Sequence, residues 1–115
     1  MRIIVKAPGE KTGHYEEIDG TSEDSVLSSL QETVGGYIAT VRVSRSPSVF
    51  IICNEEGKLQ ELAPNLVAGE TVISGTVAVC GLDGTRLSGC PISLKEWEGI
   101  LDGDLYDIQE ASHEK

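Results

Sequence analysis

The sequence predicts an α+β domain: a largely antiparallel sheet of about four to six strands packed by one main helix, with a second short helix near the C-terminus. Three observations carry this prediction. Two stretches, Ser22 to Val34 and Ser93 to Leu101, repeat apolar residues at helical spacing behind a capping hydroxyl. Several other stretches are rich in β-branched residues and alternate with a period of two. Short connections carrying Gly, Pro, Asn or Asp separate them, as hairpins require and crossover helices do not. The 115 residues are the length of one domain. We assign residues 1–103 to that domain and 104–115 to an acidic C-terminal tail.

Met1 to Ala7 has the pattern of a strand ended by the turn dipeptide Pro8-Gly9, and His14 to Asp19 forms a second extended run, so a hairpin joins them. Thr21-Ser22-Glu23-Asp24 then supplies a cap and first-turn acids that suit the exposed amides of a helix start. Val26, Leu27, Leu30 and Val34 form its predicted apolar face, and Gly35-Gly36 ends it. Tyr37 to Val43 alternates as a strand, Ser44 to Ser48 is a polar loop, and Val49 to Cys53 is continuously apolar, as in a strand covered on both faces. Asn54-Glu55-Glu56-Gly57 is a turn, and Leu59 to Leu62 a brief strand or helical turn. Val72 to Leu82 is predicted as one strand, with Gly75 and Gly81 on one face marking a bend or a close backbone approach. Ser93-Leu94-Lys95-Glu96 matches a capping box, and Leu94, Trp97, Ile100 and Leu101 share one face of the second helix.

Composition narrows the function. With 19 acids against 9 bases, the net charge of −10 opposes binding to a nucleic-acid backbone, which needs clustered Lys and Arg. No apolar run approaches the ~18 residues that span a bilayer, and Met1-Arg2-Ile3-Ile4-Val5-Lys6 meets charge too early for a signal sequence, so a cytoplasmic protein is expected. Cys53 and Cys80 sit in apolar strands and Cys90 precedes Pro91, an odd set that fits neither a disulfide framework nor a zinc site. Buried thiols in a reducing compartment, with no metal and no cofactor, are the expectation.

Motifs for phosphate cradling, nucleotide binding, nucleophile elbows or zinc hydrolysis are missing, so no catalytic residue is assigned and an enzyme is not expected. Glu16 and Glu17 point to opposite sides of a strand, and neither His14 nor His113 has an evident orienting partner. Between Lys95 and Lys115 lie Glu96, Glu98, Asp102, Asp104, Asp107, Glu110 and Glu114, a row that serves either as a solvated face or as an imitation of DNA phosphates.

Several segments then resemble, in order, the family known as domain of unknown function 3846. They are Pro8-Gly9-Glu10, Val34-Gly35-Gly36-Tyr37-Ile38, Cys53-Asn54-Glu55-Glu56-Gly57-Lys58-Leu59, Pro64-Asn65, Ile73-Ser74-Gly75-Thr76-Val77 and a late Ser-Leu, together covering about residues 1 to 101. The resemblance implies a short intracellular protein of phages, plasmids and conjugative elements, and it implies no catalytic residues. Gly35-Gly36 lets the chain reverse and exposes backbone amides, Asn54 can close an Asx-turn on Glu56, and Lys58 can pair with Glu55 or Glu56.

Polar groups at element ends are where binding residues are displayed. Gly35, Gly36, Tyr37, Asn54, Glu55, Glu56 and Asn65 are therefore the candidate ligand- or partner-binding residues, with a hairpin bringing Tyr37 near Asn54. The expected function is a non-enzymatic binding or adaptor protein of a phage or mobile element. It would bind a host protein or sequester a small ligand in host takeover or counter-defence, in the bacterial cytoplasm, with self-association as a homo-oligomer deepening the site. The alternative is an acidic DNA mimic that inhibits a host nucleic-acid-binding enzyme.

Overall fold

The computed structural model describes residues 1–68 and 70–104, without the side chains of Gly103 and Asp104. Residues 105–115, most of the predicted tail and with it His113, lie outside the described residues. In chain order the elements are β1 (Arg2–Lys6), β2 (His14–Glu17), α1 (Glu23–Val34), β3 (Ile38–Arg45), β4 (Ser48–Asn54), β5 (Pro64–Ala68), β6 (Thr71–Ser74), β7 (Val77–Asp83), β8 (Arg86–Ser88) and α2 (Leu94–Gly99). A π-helical turn over Ile100–Asp104 prolongs α2 past the expected stop at Gly103.

The main sheet runs β2-β1-β7-β4-β3, with β8 paired to the far end of β7, and every pairing is antiparallel. Its central strand, β7, lies between β1 and β4, which explains the unbroken burial of Val77 to Gly81. β5 and β6 form a separate two-stranded sheet. The α+β class, the antiparallel sheet, the main helix and the short second helix are those the sequence predicts.

Both faces of the sheet are covered. On one, α1 packs Val26, Leu30 and Val34 against Ile3, Val5, Ile52, Ala78 and Cys80. On the other, the β5–β6 hairpin and α2 bring Leu66, Ala68, Ile73 and Trp97 onto Ile4, Val43, Val49, Ile51, Val77 and Val79. Ser22 caps α1 as expected, with Ser25 in place of the usual acid in the reciprocal capping box. At α2 the box pairs Ser93 with Glu96.

Three expectations change. Leu27 is not part of the buried face: it is 42% exposed, because residues four apart form the stripe and Leu27 sits about 100° round the helix from Val26. Val72 to Leu82 is not one strand. Gly75, at φ 89°, donates to the Ala63 carbonyl at 2.7 Å and breaks the run into β6 and β7, which belong to different sheets, whereas Gly81 is a close approach to the Gly89 carbonyl. The loop at Ser44 to Ser48 shrinks to a tight turn with a cis Ser46–Pro47 bond, since β3 reaches Arg45 and β4 starts at Ser48. Of the two readings of residues 59–62, the helical turn is the one found.

Candidate functional site

The site starts where α1 ends. Gly35 adopts φ 82°, and the amides of Gly35 and Gly36 both reach the Gln31 carbonyl, at 2.8 and 3.0 Å. Gly36 has a different constraint: a Cβ there would lie 2.9 Å from Asn54 Nδ2. The buried Asn54 amide donates to the Val34 carbonyl and to Gln60 Oε1, each at 3.2 Å, while its Oδ1 accepts the Glu56 amide at 2.8 Å. Asn54 thus seals the helix end and closes the Asx-turn the sequence suggests. The Glu55 amide donates to the Tyr37 carbonyl at 2.8 Å, which sets Tyr37 beside the turn.

From Glu56 the chain makes one helical turn. Leu62 N donates to the Gly57 carbonyl at 3.0 Å and Glu61 N to the Lys58 carbonyl at 3.1 Å, with Glu61 in the left-handed region at φ 55°. These are the paired bonds of a Schellman close, here with Glu where Gly is usual. Gly57 packs on the Ser74 carbonyl, which anchors the turn to β6 and leaves Leu59 81% exposed. Among the described residues Lys58 makes no ion pair with Glu55 or Glu56, unlike the expectation.

Between this turn, β3 and β6 lies a cleft of about 290 Å³. Ala39, Val41, Cys53, Val72 and Ile73 give it an apolar interior, and Glu55, Glu56, Lys58 and Leu59 form its rim. Exposed apolar side chains gather round it: Leu59 and Val72 line it, Val67 stands opposite Val72 across the hairpin, and Tyr37 adjoins Glu55. Of the sequence-derived candidates, Asn54, Glu55 and Glu56 line the cleft, and Gly35, Gly36 and Tyr37 build the junction behind it. Leu59 and Val72 are not among those candidates; the signal for Leu59 is a lone large apolar residue in a turn, and Val72 falls inside the predicted 72–82 strand.

Asn65 lies elsewhere. Its Nδ2 donates to the Lys6 carbonyl at 2.7 Å and to the Gly75 carbonyl at 2.8 Å, and its Oδ1 accepts from the buried Lys6 ammonium. It ties the hairpin to β1. Burial pushes the Lys6 pKa down, opposed by the nearby Glu10 carboxylate.

His14 was expected to lack partners and has two. Its ring nitrogens meet Glu16 at 2.7 Å and Glu10 at 3.0 Å, and these carboxylates, Glu16 first, raise its pKa. The period of two already puts His14 and Glu16 on one side of β2. Held this way, the ring favours its protonated form and is poorly suited to act as a base. The thiols are equally unsuited to nucleophilic work: burial raises all three, Cys80 to about 12. Among the described residues no group of three or more His, Cys, Asp or Glu is placed to hold a metal ion.

A larger hollow, about 530 Å³, opens at the start of α1. Several of its polar groups are engaged: Ser22 in the capping box, Arg86 with Glu23, and the Met1 ammonium with Glu17 and the Ile18 carbonyl. The cleft beside the turn is the less polar of the two.

Residues 1–102 match the family model described as Domain of unknown function (DUF3846), and the chain belongs to that family. No curated protein and no solved structure matches it. No helix among the described residues is long and apolar enough to cross a membrane.

Proposed function

We propose that this member of the DUF3846 family is a non-enzymatic binding or adaptor protein of a phage or mobile element. It takes a host protein or a small ligand in the cleft between β3, β6 and the 54–59 turn, and works in the bacterial cytoplasm in host takeover or counter-defence. One observation carries this reading: a segment that carries the family resemblance, Asn54 to Leu59, builds the wall of an apolar cleft and holds Leu59 out in solvent beside Val72. Burying a side chain such as leucine is worth roughly 1.5 to 3 kcal/mol, so a clustered apolar surface left open is available to a partner. A second subunit across the outer edge of β3 would deepen the same cleft.

The test is capture from host extract by the tagged full chain and by two variants, Leu59→Ser and Val72→Ser, after thermal melts establish that both fold. Loss of the same captured species in both variants is expected. Retention in both overturns the cleft as the site. Capture that ignores both variants yet falls steeply with added salt would instead move the function to the acidic surface and to DNA mimicry.

A further inference from the structure

The cleft is about 290 Å³ and open, the scale of one large side chain and the lower limit of small-molecule sites, roughly 300 to 1,000 Å³. A small-molecule site also needs convergent polar groups to orient its ligand. Here two of them are already committed. The Asn54 amide is spent on Val34, Gln60 and Glu56, and the Cys53 thiol faces the Ala39 carbonyl at 3.7 Å. Besides the small hydroxyls of Thr71 and Ser74, what stays available is apolar surface plus charge on one rim, where two exposed carboxylates, Glu55 and Glu56, lie beside a single cation, Lys58. The chain as a whole carries −10, which repels an acidic partner at long range.

Resting on the cleft reading above, we infer that the occupant is a segment of a partner protein that inserts one large apolar side chain into the cleft and sets a Lys or Arg beside it against Glu55 and Glu56. The apolar anchor supplies the affinity, since a desolvated side chain in a fitted cleft acts as a hot spot. The rim carboxylates supply the preference for basic segments, because exposed charges steer and select more than they bind.

The experiment is an amide chemical-shift titration of the isotope-labelled full chain with three seven-residue peptides. One carries a central Leu flanked by two Lys, one has Glu in place of the Lys residues, and one has Ala in place of the Leu. The Lys-Leu peptide is expected to shift residues of β3, β6 and the 54–59 turn and to bind at least tenfold more tightly than either control. In a Glu55→Gln, Glu56→Gln double variant the preference for the Lys over the Glu peptide should shrink severalfold, with the dependence on Leu kept; an unchanged preference overturns the rim assignment. Equal binding of the Lys and Glu peptides to the unmodified chain overturns the inference. So does the lack of any shift at millimolar peptide. If extract capture still depends on Leu59 and Val72 while the peptides fail, only this inference falls; if capture ignores both residues, the cleft reading falls as well.

Discussion

On one face of the sheet a single twelve-residue helix, α1, covers the core, capped at both ends and buried through residues four apart. On the other face a two-stranded hairpin and a short helix share the cover, and each has to be fastened. Asn65 ties the hairpin to β1 and to Gly75. The Trp97 indole ties α2 to the Thr12 carbonyl at 2.9 Å, and Tyr15 accepts the Leu94 amide at 2.9 Å. A cover assembled from pieces stops where the hairpin stops, and the cleft lies there. The assembled face therefore depends on a few polar ties, and the helical face on apolar stripe geometry.

That contrast can be broken most forcefully at its anchors. Trp97, fully buried, should cost about 3 to 5 kcal/mol on replacement by Ala, and Leu30→Ala about 2 to 5 kcal/mol, both read from denaturant midpoints. Leu27→Ala should cost under about 1 kcal/mol, and a loss as large as that of Leu30→Ala would disprove the assigned face of α1. Next comes the tie at Asn65. Asn65→Ala should destabilise by roughly 2 to 3 kcal/mol, because it leaves the Lys6 and Gly75 carbonyls without their donor and the Lys6 ammonium with only the residue-65 backbone carbonyl at 3.3 Å. Asn65→Asp should not restore the loss, since a carboxylate cannot donate to the Lys6 and Gly75 carbonyls. Full stability in either variant would mean that packing alone holds the hairpin.

A smaller effect, of opposite sign, is expected at the turn. Glu61→Gly removes the left-handed strain of a side-chain-bearing residue and should stabilise by roughly 0.5 to 1 kcal/mol, seen as a higher melting temperature. Capture through the cleft should be unchanged. Smallest is the surface cluster on β2. The His14 pKa is raised in the folded chain by Glu16 and Glu10, so its contribution is fully present below the unfolded value of about 6.5 and is lost as pH rises through the folded value. A histidine titration by NMR should place the midpoint above 6.5, and His14→Gln should flatten the change in melting temperature across that window. A midpoint at or below 6.5 would show that the two carboxylates do not hold the ring in solution.

Features that neighbours in the chain settle are legible without the fold. Ser22 and Ser93 mark helix starts, because a cap hydroxyl needs only the amide three residues ahead. Gly35 ends α1 through its own φ, Asn54 turns the chain through an amide two residues on, and β-branched alternation makes β3 and β4 a hairpin in which Ile38 pairs with Asn54. Half of the site was legible for that reason: Asn54, Glu55 and Glu56 are a turn at a strand end. The tertiary structure alone decided the rest. Whether residues 71–83 form one strand or two depends on Ala63 and Leu62 meeting Gly75, and the role of Asn65 depends on Lys6, 59 positions away. The exposure of Leu27, Leu59 and Val72 follows from how wide each cover is, not from spacing along the chain. Local periodicity fixes which residues share a side, but which side is buried, and where the cover ends, is set by contacts between segments distant in sequence.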